Sequence, residues 1–411
     1  MNEIRQLALV IPWYGPDTAG GAERHARRLV ESLHEAGVAV VVLATTAKEV
    51  FSPEQNRYYP AGWQEVNGVP VLRFPAWAEV GAGPQNPPAR LLPPHLPPLR
   101  SAERHMIDEF WTDAAFYEYI AKHRQDTLFL PMPYIWGTTF WSALIAQDRA
   151  ILIPCLHDEP QAHYSLYRHM FQSVRGVLFN SPPEMQLAQR LYGLPAERAR
   201  VIGEGLDVHW QGDADRFRQN VFPEPFVFYV GRRDQGKRVP LLIKYFCAYK
   251  DRHPGDLRLV LAGKYPIAVP VGFSAQVVDL GYMSETDKHD AYAAATVVCN
   301  PSVVESFSLV IMEAWLQGTP VLVNAECDVT TWHCRQSNGG LYFKGYLEFE
   351  ACLDYLLERP HLRERMGALG KAYVQETYTW PHVVQRFIKA LEELGIRVPY
   401  RSGPSSPQAG A

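Results

Sequence analysis

Residues 300–324 read "NPSVVESFSLVIMEAWLQGTPVLVN", and within them Glu305 and Glu313 are separated by seven mostly apolar residues. The runs "TVVCNPS" before and "TPVLVNA" after are short, β-branched and bounded by proline or glycine, so they read as strands. Between them Phe307, Leu309, Val310 and Ile311 open a helix that buries itself against the sheet those strands form. A strand, a crossover helix and a second strand make one unit of a parallel sheet.

Working outward, the same alternation continues upstream as "FVFYVGR", the helix "VPLLIKYFCAYKDRH", "LRLVLAGK", "AQVVDLGYM" and the helix "TDKHDAYAAA". An earlier series begins with "QLALVIPWY" and the helix "GGAERHARRLVESLHEAG", whose apolar face is Ala26, Leu29, Val30 and Leu33 and whose stop is Gly37. It goes on through "VAVVVLAT", "TLFLPM", "AILIPCLHD", "GVLFNS" and "RVIGEG". The polar stretch "DVHWQGDADRFRQNVFPEP" separates the two series. The expected fold class is therefore α/β, with two Rossmann-like domains whose parallel sheets face across a crevice. Expected boundaries are 1–205 for the first domain, 206–224 for a linker, 225–378 for the second domain, 379–398 for a terminal helix returning to the first, and 399–411 for a disordered tail. The proline-dense stretch at residues 81–99 excludes helix and internal strand, because proline lacks a backbone donor and fixes φ. It reads as a connector, or as a loop over the crevice.

At 411 residues the chain exceeds one ordinary core. A net charge of −4 gives no basic face for nucleic acid. The six cysteines, Cys155, Cys247, Cys299, Cys327, Cys334 and Cys352, show no CxxC spacing and read as reduced packing thiols. The first apolar run is broken by Pro12 and Gly15, too early for a signal peptide or a membrane span, so a cytoplasmic protein is expected.

Ligands of open parallel sheets bind beyond the carboxyl ends of the strands, where helix N-termini present N–H groups. Three loops fall there. "GPDTAGGAERH" offers Gly20 and Gly21, which admit an anion close to the backbone but lack dinucleotide-fingerprint spacing. "YVGRRDQGKR" offers Arg232 and Lys237, cations suited to a diphosphate, although exposed loop cations need no function. At Ser306 to Leu309 a helix start can hold a phosphate, with Glu305 facing the crevice and Glu313 placed to accept from paired sugar hydroxyls. For Glu305 a dipole partnership, and for Glu313 a structural ion pair, are the plain alternatives. His157, Asp158, Glu159 and His163 lie close in sequence, but without the helical HExxH order of a metal site.

Taken together, "GGAERH", "YVGRRDQGKRVPLLIKYF", "LVLAGK", "LGYMSETDKHDAYAAATVVCNPSVVESFSLVIMEAWLQGTPVLVN" and "YTWPHVVQRFIKAL" resemble the retaining glycosyltransferases of family 4, which have the two-domain GT-B fold. The resemblance spans nearly the whole chain. It implies that Glu305 contacts the transferred sugar, Glu313 the ribose, Arg232 and Lys237 the diphosphate, and His157 the sugar and reaction centre. It further implies donor contacts at Gly20, Gly21, Gly263, Tyr282, Met283, Ser306, Phe307, Ser308 and Leu309. Arg232, Lys237, Glu305 and His157 are the catalytic candidates, with no metal and no cofactor beyond a UDP- or GDP-sugar donor. Three departures stand out: Ser306-Phe307-Ser308 for Gly-Phe-Gly, Arg238 for glycine after Lys237, and Glu204 where asparagine is usual. The implied activity transfers a sugar from a nucleotide-diphosphate sugar to a saccharide or lipid-linked acceptor in bacterial polysaccharide or glycoconjugate synthesis, with the protein peripheral at the inner membrane face. Acceptor choice is expected before Gly205, where Tyr134 and Trp136 offer faces that could stack on sugars, with ordinary core packing the expected fate of at least some of these aromatics. A sugar-nucleotide epimerase and a catalytically silent sugar-nucleotide-binding subunit are the other readings.

Overall fold

The computed structural model describes residues 3–18, 20–49, 57–76, 87–93, 98–108, 112–233 and 236–401. It divides the chain into two compact units, residues 1–205 with 380–411, and residues 206–379.

In the first unit, strands β1 (Gln6–Val10), β2 (Val40–Thr45), β3 (Gly62–Val66), β4 (Val69–Phe74) and β5 (Thr127–Pro131) lie in the order β3-β4-β2-β1-β5. A second set, β6 (Ile151–Leu152), β7 (Gly176–Phe179) and β8 (Ala199–Val201), continues it through a parallel Phe129–Ala150 bridge. All pairings are parallel except β3–β4. That hairpin turns on Asn67 and Gly68, both at positive φ (50° and 82°), the backbone its tight turn demands. Helices α1 (Gly21–Glu35), α2 (Ser101–Asp108), α3 (Ala114–His123), α4 (Gly137–Ala146), α5 (Ser165–Ser173) and α6 (Pro182–Tyr192) cover the faces. Helix α1 buries Ala26, Leu29, Val30 and Leu33 as its periodicity requires, and Gly37 ends the turn after it at φ 84°. Every residue of α4 is buried, the pattern of a helix apolar all round.

In the second unit, α7 (Ala214–Asn220) precedes β9 (Phe226–Val230), α8 (Val239–Arg252), β10 (Arg258–Ala262), β11 (Val277–Gly281), α9 (Glu285–Ala294), β12 (Val297–Asn300), α10 (Leu309–Leu316), β13 (Val321–Asn324), α11 (Asp328–Ser337), β14 (Gly340–Phe343), α12 (Tyr346–Glu358) and α13 (Pro360–Thr377). The sheet is parallel throughout, in the order β11-β10-β9-β12-β13-β14. Counted within the unit this is 3-2-1-4-5-6, so the strand order reverses between β9 and β12. Helix α14 (Trp380–Glu393) belongs to the first unit, where Val383, Phe387 and Leu391 enter the core beneath β1 and β2.

Two sequence expectations need correction. Residues 206–224 are not a plain linker: Asp213 caps α7 through its side chain, and Phe217 is buried against Phe226, so the stretch opens the second unit. Residues 399–401 are not disordered, since Ala39 N–H donates to the Pro399 carbonyl and Arg401 N–H to that of Gly37. Residues 402–411 lie outside the described set. Of the proline-dense stretch, the described part holds a short 3-10 helix, Ala89–Leu91, with Leu91, Leu92 and Leu99 packed on the first unit's core. The remainder of that expected loop lies outside the described residues.

Candidate active site

Arg232, Lys237 and the residues from Glu305 to Ser308 lie on the loops at the strand reversal of the second unit, while Gly263 follows β10 and Tyr282 and Met283 follow the edge strand β11. After β9 come Gly231, Arg232 and Arg233; after β12 comes the loop from Pro301 to Ser308. Adjacent arginines part ways here. Arg233 is buried, its guanidinium donating to the Gly263 carbonyl at 2.7 Å and pairing with Asp279, so it ties the ends of β9, β10 and β11 together. Arg232 is exposed, and its carbonyl accepts from the Tyr229 hydroxyl at 2.5 Å. The strand ends approach so closely that a Cβ on Gly263, at φ 137°, would lie 1.9 Å from the Gly231 carbonyl oxygen. Gly263 thus has a packing reason to be glycine besides any contact with a ligand.

Lys237 reaches across the reversal: its Nζ lies 2.8 Å from Glu305 Oε1 and 3.4 Å from the Val304 carbonyl. Of the three positions where glycine is replaced, two fall on left-handed backbone, Arg238 at φ 54° and Ser308 at φ 77°, where glycine carries no Cβ penalty. Each is tethered by a side chain, Arg238 to Glu326 at 2.7 Å and Ser308 Oγ to Asn300 Nδ2 at 2.9 Å. Ser308 is the N-cap of α10, which begins at Leu309. The rings and chains inside this loop divide between two tasks. Phe307 packs edge-on to His333 and Tyr378 and is 1 % exposed, so any donor contact it makes is through backbone, while half-buried Leu309 leans on the same core.

Glu313, 3 % exposed, accepts from the Tyr292 hydroxyl at 3.0 Å and pairs with Lys288 Nζ at 3.3 Å. Lys288 also reaches Glu285 at 2.9 Å, and its ammonium serves as the cation of a cluster in which Glu285, His289 and Glu313 place ligand-type atoms within 4.8 Å of one another. A divalent ion there would have to displace the lysine. Tyr282 is 75 % exposed beyond β11, and Met283 is half-buried beside it.

In the first unit, Gly20 caps α1 at φ 136°, and a Cβ there would meet the Glu23 carboxylate, while Gly21 has open space. Arg27 fastens the preceding loop by donating to the Gly15 carbonyl at 2.7 Å. His157 follows β6, half-buried, with Nδ1 3.5 Å from Glu159 Oε1; that carboxylate oxygen also accepts from the Tyr134 hydroxyl at 2.7 Å. His163 pairs instead with Asp158 at 2.9 Å, and Arg190 joins them, so the four residues of the metal alternative split into two pairs. Tyr134 is 1 % exposed and packs on Tyr167, which removes it as a stacking platform; Trp136, half-buried, meets Trp13 edge-on at 4.8 Å.

Sequence reasoning missed a buried polar group at the end of β8. Glu204 occupies the position where asparagine is usual and accepts from Asn180 Nδ2 at 2.9 Å. Its other oxygen lies 3.9 Å from Nδ1 of His25, whose ring stacks on Trp380. Burial pushes the His25 pKa down to about 3, so the imidazole is neutral. The histidine of "GGAERH" was the available signal, but its partners lie at positions 180, 204 and 380.

Comparison with known proteins fits these two units. Residues 20–205 match the family model "Glycosyl transferase 4-like domain" and residues 213–373 match "Glycosyl transferases group 1". The chain is 25 % identical over 407 residues to a D-inositol 3-phosphate glycosyltransferase of Nocardia farcinica, covering 92 % of this chain and 85 % of that one. It is 26 % identical over 411 residues to the enzyme of the same name from Kribbella flavida, covering 92 % and 91 %. Among solved structures it resembles a sucrose-phosphate synthase from Thermosynechococcus elongatus, with TM-score 0.67, 18 % identity and coverage of 95 % and 99 %. It also resembles Anabaena HepE in complex with UDP-glucose, with TM-score 0.65, 16 % identity and coverage of 94 % and 99 %. No helix among the described residues is long and apolar enough to cross a membrane. With a parallel α/β unit under each matched model and solved neighbours of GT-B fold, the chain belongs to the group 1, family 4 glycosyltransferases.

Proposed function

We propose that the chain is a retaining glycosyltransferase that moves a hexose from a UDP- or GDP-sugar to a hydroxyl of a saccharide or lipid-linked acceptor, in the assembly of a bacterial polysaccharide or glycoconjugate. The observation that carries this reading is the contact of Lys237 with Glu305 at the strand reversal of the second unit, on the loops that follow β9 and β12, the first of which also exposes Arg232. Such a reversal is where open sheets bind nucleotides, and it brings two cations for a diphosphate next to a carboxylate for sugar hydroxyls. The solved HepE structure is a complex with UDP-glucose, and the relatives from Nocardia and Kribbella are D-inositol 3-phosphate glycosyltransferases.

Arg232, Lys237 and the first N–H groups of α10 would stabilise charge that builds on the diphosphate as its bond to the anomeric carbon breaks. The departing phosphate oxygen takes the proton of the acceptor hydroxyl, whose oxygen bonds the anomeric carbon from the same face. Configuration is retained without a protein nucleophile. Glu305 holds the transferred sugar and Glu313 the ribose; Gly263, Tyr282, Met283 and the backbone of residues 306–309 line the nucleotide. On the first unit, Gly20 and Gly21 offer N–H groups to an anion, and His157, oriented by Glu159, serves the sugar. The diphosphate charge is met by protein groups rather than a metal, and the enzyme works in the cytoplasm, peripheral to the membrane. Thermal stabilisation by one series of UDP- or GDP-sugars tests donor binding, since a ligand of the native state raises the midpoint. The anomeric configuration of the product, read by NMR, tests retention, and an inverted product would end the mechanism.

A further inference from the structure

The loop that carries Glu305 is organised by one side chain of the sheet. Asn300, the last residue of β12, is 4 % exposed, and its amide touches that loop at three places. Its oxygen accepts from the Ser302 N–H at 3.1 Å, near the loop's start. Its nitrogen donates to Glu305 Oε1 at 3.3 Å and to Ser308 Oγ at 2.9 Å, in the middle and at the end. Neighbouring β13 adds a parallel tether, Asn324 Nδ2 donating to the Pro301 carbonyl at 3.2 Å. Glu305 Oε1 therefore receives one donor from the β9 side, Lys237, and one from its own strand, Asn300.

These two donors differ in what a donor substrate does to them. An ammonium on a flexible stem is drawn to a diphosphate, whose charge competes with Glu305 for it. A buried amide with its own oxygen already engaged stays where it is. Resting on the reading of Glu305 as the sugar contact, we infer that Asn300 is a positioning residue, which keeps the Glu305 carboxylate aimed at the transferred sugar once Lys237 turns to the diphosphate. Ser308 takes part because its hydroxyl, on a backbone at φ 77°, fixes the amide's orientation. A glycine there would supply the backbone but no acceptor.

The test is a difference of affinities measured by calorimetry on the full chain. UDP-glucose and UDP-N-acetylglucosamine are each compared with UDP, and GDP-mannose with GDP. Asn300→Ala should cut the preferred sugar nucleotide's affinity tenfold or more while changing that of the bare nucleotide less than twofold. Glu305→Ala should do the same, and the double variant should equal Glu305→Ala alone. Since removal of the amide leaves Ser308 on strained backbone, Asn300→Ala is also measured in a Ser308→Gly background against Ser308→Gly itself, with a smaller loss of the same selectivity expected because the amide has lost one of its acceptors. Equal weakening of nucleotide and sugar nucleotide, or independent losses in the double variant, would overturn the positioning role and leave the glycosyltransferase reading intact. A wild-type chain that distinguishes no sugar nucleotide from its nucleotide would remove the sugar role of Glu305, and the inference with it.

Discussion

Replacing Gly263 by alanine probes the packing that sets the floor of the candidate donor site. The residue sits at φ 137°, and an added Cβ would lie 1.9 Å from the oxygen and 2.9 Å from the carbon of the Gly231 carbonyl. Both are backbone atoms, so no rotamer change relieves the overlap. Holding an L-residue at such a dihedral costs about 1–3 kcal/mol, and overpacking a closely fitted site costs about 1–3 kcal/mol more. The expected loss is about 2–6 kcal/mol, a large part of the roughly 5–15 kcal/mol that holds a domain folded. Gly281→Ala supplies the control: φ is 66° with no heavy atom within 4 Å, so only the left-handed penalty, about 1–2 kcal/mol, applies. Urea unfolding followed by hydrogen exchange, read on peptides of the second unit, separates that unit from the first. If Gly263→Ala came within about 0.5 kcal/mol of Gly281→Ala, the variation expected of a neutral surface change, the close approach of the two strand ends would be wrong.

Other perturbations address single groups. Arg232→Ala, on an exposed side chain, should change stability by less than about 0.5 kcal/mol while weakening binding of UDP or GDP; unchanged nucleotide affinity would return it to the surface. Glu313→Gln should erase discrimination between UDP and 2′-deoxy-UDP if the carboxylate holds ribose, and Glu313→Ala, which leaves Lys288 to Glu285 alone and the Tyr292 hydroxyl without this acceptor, should cost about 1–3 kcal/mol. Burial holds both His25 and His333 at about 3, against 6.5 unfolded, so the unfolded chain takes up protons first as pH falls. Stability from these histidines is complete above 6.5 and declines between 6.5 and 3; His25→Gln and His333→Gln should flatten that limb of a denaturation-versus-pH series, and an unaltered limb would refute their neutrality. Sugar transfer should survive exhaustive chelation, and loss reversed only by a divalent ion would reopen the cluster around Glu313.

The sequence carried the second unit's sheet well, because its apolar strands and glycine-ended loops follow local rules. The β3–β4 hairpin was equally local, announced by Asn67-Gly68, yet β3 is half-exposed and lacks an apolar run, and Pro70 interrupts the pattern of the buried β4. Helix α7 was hidden by polarity: one buried residue, Phe217, and a cap at Asp213 hold it, too little periodicity to notice. The aromatic stretch before α4 allowed both core packing and an acceptor surface, and Tyr134 is core; composition does not say which face is covered. Within the site, Glu305 and Lys237 could be paired only through a shared destination at strand ends. The His25, Asn180 and Glu204 group depends on contacts across some 180 positions, which no local pattern records.

Helix α14 gives the order of synthesis a consequence. The core beneath β1 and β2 lacks Val383, Phe387 and Leu391 until the final residues have been made, so the unit that starts the chain is the last to be finished. Residues 206–379, by contrast, enter and leave their unit side by side: Leu206 bridges Thr379, and its N–H donates to the Tyr378 carbonyl. A nascent chain can therefore complete the later unit while the earlier one waits with an open apolar face for a chaperone to shield. A stop codon placed before α14 would remove the helix and the segment after it that pairs with Ala39 and Gly37, leave every nucleotide-binding candidate of the later unit in place, yet deliver a protein prone to aggregate through its earlier-made unit.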